Sequence, residues 1–233
     1  MTISGDDLLG SILASLERIS YIEPEDIPGI DLYMDQVTGF LDKRLRSTVR
    51  NPGDGRIMTK TMINNYAKND LIPPPIKKKY SKEHILLLIF IYYYKGILSI
   101  GDIQKLLEPV TKEYFDCGKS FDLESIYREV IELEKGQLEG LKLDVIKKYK
   151  EAEETFGDAP ESGKEFLRKF AFICMLSYDV YVKKLMIEKM IDELAKVDLS
   201  AKPKPKKEAK PKEAKPKETK ETTPKENTKT KKE

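Results

Sequence analysis

Apolar residues recur along this chain at the three- and four-residue spacing of amphipathic helices, and no segment shows the long alternation of a β-rich protein. The pattern predicts an all-α fold. Its helices are expected around 8–16 and at about 31–45, 59–69, 82–95, 100–107, 121–150 and 164–197. The segment 82–95 is nearly all apolar, so we expect it to be the central, buried helix of the fold.

Capping residues and prolines mark the ends of these helices. Thr59 or Thr61 can cap the helix that follows it, because a threonine hydroxyl accepts a hydrogen bond from a free amide of the first turn. Pro73–Pro75 is predicted to stop that helix, since proline lacks an amide donor. Ser81 is predicted to cap the core helix. Pro109 is predicted to end the short helix at 100–107.

The last predicted helix, 164–197, repeats its seam positions with the 4–3 spacing of helices that pack lengthwise as in a coiled coil. Ser177 and Lys184 interrupt the apolar seam. Two interpretations therefore stay open, an antiparallel helix pair within one subunit and a dimer interface. The seam positions are Phe166, Phe170, Ile173, Ser177, Val180, Lys184, Ile187, Ile191 and Leu194.

The C-terminal tail, 200–233, has a composition unlike the rest of the chain. It contains no Ile, Leu, Val, Met or aromatic residue, and it repeats the sequence AKPKE. Such a segment cannot bury apolar area to offset its chain entropy. We therefore predict that this Lys/Pro/Glu-rich tail is disordered.

Charge is strongly segregated although the chain as a whole carries only +2. Residues 1–42 have a net charge of −8, residues 43–82 of +9, residues 83–199 of −6 and the tail of +7. A basic stretch between acidic flanks is the electrostatic footprint of a surface that binds a polyanion. The segment 43–82 is therefore the first place to look for a nucleic-acid interface.

The chain offers little metal, redox or membrane chemistry. Two cysteines, Cys117 and Cys174, and one histidine, His84, fit a reducing compartment and are too few for a four-ligand zinc site, so no cofactor is expected. The most apolar run, His84–Tyr94, is shorter than the roughly 20 residues that span a bilayer. No secretory signal is visible at the N-terminus. We expect a cytoplasmic protein without a membrane span.

No catalytic motif is visible either. We find no nucleophile elbow, phosphate loop, metal-ligand spacing or poised pair of acids. The sequence therefore does not predict an enzyme.

Within the basic segment, a short predicted helix is followed by a proline stop, three lysines and the core helix. A short helix fits the major groove of duplex DNA, where asparagine can pair with adenine and threonine or lysine can reach a base or phosphate. Lysines just past the helix can contact flanking phosphates and fix the register. The candidate DNA-binding residues are Arg56, Thr59, Lys60, Thr61, Asn64, Asn65, Lys68, Lys77, Lys78 and Lys79.

The residues from Tyr66 to Ser81 resemble the MerR family. They place a tyrosine, three variable residues, Asp70-Leu71-Ile72-Pro73, a basic stretch and a Tyr-Ser step before an apolar helix. Closer still, LYMDQV at 32–37 together with TKTMINNYAKNDLIPPPIKKKYSKEHI is similar to a Firmicute family known as domain of unknown function 1836, itself treated as a MerR-like helix-turn-helix family. The resemblance covers about residues 25–110.

The resemblance implies a winged helix-turn-helix in which 59–69 is the recognition helix and the basic segment is the wing. It places Tyr66 at a core position of the recognition-helix turn. Asn64 stands where the MerR family usually has an arginine that touches phosphate, and Asn65 where it has an aromatic residue. Thr61 stands where a DNA-contacting arginine is common. These departures put the MerR mode of phosphate contact in doubt.

The patterns together divide the chain into four parts. These are an N-terminal segment with a short helix (1–30), a MerR-like helix-turn-helix domain (31–108), a helical region for dimerisation or effector binding (109–199) and the disordered tail (200–233). We expect a DNA-binding transcriptional regulator, a homodimer that reads duplex DNA with the helix at about 59–69 and the lysines at 77–79.

Two other functions stay open. One is a helical protein-interaction adaptor that keeps the helix-turn-helix fold without reading DNA, which the absent arginine at Asn64 favours. The other is non-specific nucleic-acid or ribosome association through the tail. Cys174 alone gives no basis for metal sensing in the C-terminal region. A small apolar effector has no support beyond a cluster of apolar side chains, namely Phe166, Phe170, Phe172, Met175, Tyr178 and Tyr181.

Overall fold

The computed structural model describes residues 5–17, 21–51, 53 and 55–194, and the predicted disordered tail therefore lies outside the described residues. Two single turns of 3-10 helix, Pro24–Asp26 and Arg46–Thr48, join longer elements. The predicted all-α class is confirmed as a mostly helical fold with two very short strands. In chain order the elements are α1 (Gly5–Glu17), β1 (Leu32–Tyr33), α2 (Met34–Leu45), α3 (Lys60–Lys68), β2 (Lys79–Tyr80), α4 (Lys82–Tyr94), α5 (Ile100–Tyr114), α6 (Leu123–Glu153) and α7 (Glu161–Leu194).

Helix α4 is the centre of the core. Ser81 precedes it, and the Nδ1 atom of His84 accepts a hydrogen bond from the Ser81 backbone amide at 3.0 Å. All eight residues of His84–Ile91 are buried. A helix that is apolar on every side has to be covered on every side, and each fully buried Leu or Ile side chain contributes about 1.5–3 kcal/mol. The prediction that 82–95 forms the core helix is confirmed.

The surrounding helices each contribute one apolar face to this core. Since the core includes side chains of α6 and α7, it extends beyond residue 108, where the helix-turn-helix domain was predicted to end. Its members outside α4 include Val37, Leu41 and Leu45 of α2, Ile63 and Tyr66 of α3, Ile103 and Leu107 of α5, Leu123, Tyr127 and Ile131 of α6, and Ile191 of α7.

Helices α6 and α7 form an antiparallel pair within the chain, with the Lys148 ammonium 2.8 Å from a carboxylate oxygen of Asp179. A smaller core lies between them and α1, formed by Tyr149, Ala152 and Phe172, with Leu9 and Ile12 packed against it. The intrachain helix pair expected as one of two alternatives is therefore present. None of the helices in the described ranges is both long and apolar enough to cross a membrane.

The chain enters α2 through a strand, so the predicted helix at 31–45 is wrong at its start. Leu32 and Tyr33 pair with Lys79 and Tyr80 in an antiparallel ladder, with Leu32 opposite Tyr80. The Tyr33 backbone amide then donates to the side-chain oxygen of Gln36 at 2.9 Å, which closes the first turn of α2. The buried Leu32 fits the apolar spacing of the helix as well as a strand, so periodicity could not distinguish the two.

Pro109 lies inside α5, so the prediction that this proline ends the helix is wrong. The helix continues to Tyr114, and Val110 and Tyr114 pack against the main core beyond the proline. A proline in a helix interior costs about 3 kcal/mol through its missing donor and the clash of its ring with the preceding turn. The packing of this last turn offsets that cost.

Replacing Pro109 by alanine is expected to raise the free energy of unfolding by about 1–3 kcal/mol, because it restores an amide donor and removes the ring clash, less the entropy that the unfolded chain regains. Urea unfolding followed by circular dichroism measures the change. Pro28→Ala, outside any helix, is the control and should bring no gain. Equal responses of the two variants would contradict this account of α5.

The ring of His84 is almost fully enclosed, with 2 % of the residue exposed. It lies edge-on to Tyr80 and Phe115, at centroid distances of 5.5 and 4.8 Å. Its Nε2 atom has no hydrogen-bond partner among the described residues. Because burial disfavours the charged imidazolium, the pKa of His84 lies below the usual 6.5.

The fold should therefore lose stability as the pH falls below about 6.5, because the unfolded chain takes up a proton that the buried ring does not. His84→Gln keeps a capping acceptor opposite Ser81 and removes this proton uptake. Urea unfolding at about pH 7.5 and about pH 5.5 should show a larger loss in the natural chain than in the variant. Equal losses would show that His84 does not drive the pH dependence.

Candidate nucleic-acid interface

Helix α3 presents a polar row to solvent. Thr59 caps the helix by accepting a hydrogen bond from the Met62 amide at 3.2 Å, as predicted from the sequence. Ile63 and Tyr66 are the buried residues that hold α3 against the core. Residues three and four apart share a helix face, so the opposite face is formed by Thr61, Asn64, Asn65 and Lys68, all exposed.

The end of α3 is fixed by its own backbone. Asp70 has a φ of 55°, the left-handed conformation that often ends a helix. The amide of Leu71 then donates to the carbonyl of Tyr66 at 2.9 Å. Leu71 and Ile72 are buried and tie the following segment to the core. The buried residues within α3 and directly after it therefore fix the position of its polar row.

The three lysines beyond α3 lie in a tight hairpin turn. The backbones of Ile76 and Lys79 exchange two hydrogen bonds, of 3.1 and 2.9 Å. Lys77 and Lys78 stand at the two central positions with φ values of 50° and 65°, the geometry of a type I′ turn. Such positions favour Asn and Gly, and a left-handed conformation costs another residue about 1–2 kcal/mol. Two lysines therefore occupy strained positions at this tip.

Residues 33–35 connect the hairpin with the start of α3. Tyr33 pairs with Lys79 across the two strands, and the Lys79 ammonium lies 5.2 Å from the centroid of the Tyr33 ring. Two residues after Tyr33, in the first turn of α2, Asp35 forms an ion pair with Lys60 at 2.5 Å. The first turn of α3 and the wing, defined here as residues 76–79, therefore contact the same short segment of chain.

Three of the predicted DNA-binding residues already have partners within the chain. The Arg56 guanidinium donates to the buried Thr38 hydroxyl at 3.0 Å, Lys60 is paired with Asp35, and Thr59 is the helix cap. These three are available to DNA only if the internal contacts are shared or broken. The remaining seven candidates have no side-chain hydrogen bond or ion pair among the described residues, and the side chain of Lys79 contacts the ring of Tyr33. The other six are Thr61, Asn64, Asn65, Lys68, Lys77 and Lys78.

Two exposed apolar residues at this surface were not predicted from the sequence. Tyr33 is 54 % exposed beside Lys79, and Ile76 is 66 % exposed at the base of the lysine turn. A strand of two residues is too short to give a detectable alternation. For Ile76 the available signal was its place directly before the three lysines, whereas Tyr33 has no basic neighbour in the sequence that could have marked it.

Several other tyrosines of the chain are structural. Tyr66 and Tyr80 are 8 % and 2 % exposed and belong to the core. Tyr93 and Tyr94 lie with Tyr127 around a cavity of about 10 Å³, and burial raises the pKa of both Tyr93 and Tyr94 to about 12. That volume holds no more than one water molecule.

The C-terminal aromatic residues do not enclose an effector site. Phe172 is buried against Tyr149, whereas Phe166, Phe170, Tyr178 and Tyr181 are all more than half exposed. These side chains therefore do not share a cavity. Within the described ranges, no three His, Cys, Asp or Glu side chains come together to hold a metal ion.

Comparison with known proteins gives one match. No curated protein and no solved structure matches the chain. Residues 22–130 match the model of the family described as Domain of unknown function (DUF1836), which confirms the resemblance of this part of the sequence to that family. The match contains β1 to α5 and the first part of α6, and with them every candidate residue of the interface. It is therefore residues 22–130 of the chain that are similar to this family.

Proposed function

We propose that the protein is a cytoplasmic DNA-binding transcriptional regulator whose reading element is α3. One observation carries the proposal. The outward face of α3 is a row of four exposed polar residues without side-chain hydrogen bonds or ion pairs within the described chain. Residues 33–35 contact both the first turn of α3 and the lysine turn, so the row starts beside that turn. Helix and wing can thereby engage one duplex together.

Each side chain of the row has a role that follows from its chemistry. The amide groups of Asn64 and Asn65 can accept from and donate to an adenine edge in the major groove. Thr61 offers a hydroxyl and a methyl group for a base edge or a phosphate. Lys68, one turn later, supplies a charge for the backbone. Asn64 and Asn65 would therefore supply sequence preference, and Lys68 would mainly supply affinity.

The wing would contribute electrostatic contact with the phosphate backbone. Lys77 and Lys78 occupy positions that cost stability in the free protein. Strain of this kind is commonly kept at functional sites. Their ammonium groups stand at the tip of a hairpin beside the reading helix, where flanking phosphates would lie.

The MerR-like interpretation draws support from the order of the elements. A helix, a loop, a second helix, a basic turn and a buried helix follow one another within residues 34–94, which is the order that the resemblance implies. The loop at 47–56 is longer than the tight turn usual in MerR proteins. As a homodimer, the protein would present two such helices to successive major grooves of a two-fold DNA site.

The internal partners of Lys60 and Arg56 favour the adaptor as the second candidate. Asp35 places a carboxylate at the start of α3, and its side chain is 72 % exposed. Because this carboxylate and Lys60 neutralise each other, the start of α3 offers no net positive charge to a phosphate backbone, which suits a protein partner better than DNA. The adaptor function and DNA binding differ in their response to salt, which the following experiment uses.

Replacing Lys77 by Asn and Lys78 by Gly gives the turn its preferred residues and removes two charges. The free energy of unfolding should rise by about 1 kcal/mol, because both new residues tolerate a positive φ. Affinity for a mixed-sequence duplex should fall, and the slope of log affinity against log salt should become shallower by up to about 2. Fluorescence anisotropy over a salt series measures both quantities.

The control for this pair is Lys147→Ala, which removes an exposed lysine of α6 that is 75 % exposed and lies 3.7 Å from Glu151. It should leave affinity and salt slope unchanged. Unchanged DNA affinity in the Lys77→Asn, Lys78→Gly chain would argue against the wing. If only removal of residues 200–233 abolished binding, the tail would be the nucleic-acid element. Absence of salt-dependent binding would favour the adaptor.

A further inference from the structure

Three polar residues of α2 form a row beside the start of α3. Asp35, Thr38 and Asp42 stand three and four residues apart, so they share one face of the helix. Each of them contacts a basic residue that lies between the end of α2 and the first turn of α3. We call these three residues the α2 acceptor row. Their basic partners are, in the same order, Lys60, Arg56 and Arg46.

The two inner contacts of the α2 acceptor row hold the connection between α2 and α3. The hydroxyl of Thr38, a fully buried residue, accepts a hydrogen bond from Arg56 at 3.0 Å. The Asp42 carboxylate accepts from the Ile57 backbone amide at 3.2 Å in addition to its ion pair with Arg46. Breaking either contact would loosen the loop that leads into α3. We therefore assign both contacts to the fold.

The outer contact, between Asp35 and Lys60, is exposed and can be exchanged. The two side chains are 72 and 53 % exposed, and an exposed ion pair contributes little stability because water screens both charges. The long side chain of Lys60 can therefore turn away. Asp35, in contrast, stays beside α3, because its backbone carbonyl accepts from the Thr38 hydroxyl at 3.1 Å and β1 fixes the residues just before it.

Lys60 belongs to the reading face of α3 by its position. Lys60, Asn64 and Lys68 follow one another at four-residue spacing, so they lie along one face of the helix, and all three are exposed. Lys60 is the first residue of α3, and the N-terminal residues of a recognition helix are those that reach the DNA. Asp35 therefore lies where a DNA phosphate would have to lie to pair with Lys60.

Given the proposed DNA binding, on which this inference rests, we propose that Asp35 is an internal competitor of DNA phosphate for Lys60. A duplex that binds across the first turn of α3 has to replace one ion pair of Lys60 by another, so this lysine releases one counterion fewer than an unpaired lysine would. The fixed carboxylate left behind then repels the phosphate. Asp35 thus limits the affinity for DNA of any sequence and leaves discrimination to the base contacts of Asn64 and Asn65.

The affinity of the full chain for a mixed-sequence duplex tests this role. Asp35→Asn keeps the size of the side chain and removes its charge. Affinity at about 0.1 M salt should rise by up to about eightfold, and the slope of log affinity against log salt should steepen by up to about 1, since the released Lys60 displaces one more counterion. Fluorescence anisotropy over a salt series measures both quantities, and the circular dichroism spectrum should stay unchanged.

A double-mutant cycle separates this effect from a general change of charge. Lys60→Ala should change affinity little in the natural chain and should cancel the gain in the Asp35→Asn chain. Asp70→Asn is the matched control. It removes an exposed aspartate just after α3 that forms no ion pair among the described residues, at a φ of 55° that asparagine tolerates. Any gain from this control should be independent of Lys60.

Three results would overturn the proposal. They are an unchanged affinity in the Asp35→Asn chain, a gain that persists when Lys60 is replaced by alanine, and a large loss of affinity on Lys60→Ala in the natural chain. A failure of the proposed function is distinct from these three, because it would appear as an absence of salt-dependent DNA binding in every chain, the natural one included, and would overturn both.

Discussion

The burial of α4 is the constraint on which the rest of the fold depends. Eight consecutive buried residues, His84–Ile91, leave this helix no side that can face water. The surrounding helices must therefore be arranged around it, and each is oriented by the few apolar residues that it turns inward. For α3 these are only Ile63 and Tyr66. Because a short helix fixed at two positions has no rotational freedom, the same contacts that complete the core also determine which polar residues α3 presents to solvent.

The candidate interface combines elements with different energetic costs. The polar row of α3 is free of internal bonds, so it can exchange water for a ligand without breaking the fold. The lysines at the tip of the wing, in contrast, hold conformations that cost stability, so the backbone of the turn itself does not favour lysine there. Lys60 differs from both because Asp35 already neutralises it. The surface is therefore polar and only moderately basic at the start of α3, and most strongly basic at Lys77 and Lys78.

Much of this architecture could be predicted from the sequence because apolar spacing, caps and prolines act locally. The core helix, the Thr59 cap and the exposed α3 row follow from such signals. Leu32 could not be assigned to a strand because its partner, Tyr80, is 48 residues away. Pro109 is tolerated inside α5 only because the turn beyond it packs on the core, which is a tertiary effect. The exposure of Phe166 and Phe170 on α7 could not be predicted from periodicity either, since a 4–3 repeat does not reveal whether its positions are covered.

The central claim is that the outward face of α3 reads DNA sequence. Selection of bound duplexes from a random DNA pool, with the natural chain and with Asn64→Ala, Asn65→Ala in parallel, tests it most directly. The account predicts a two-fold-related motif for the natural chain and loss of preference at defined positions of each half-site for the variant, with non-specific affinity retained. No enrichment by the natural chain at low salt, or an identical motif from the variant, would contradict the claim that α3 is the reading element.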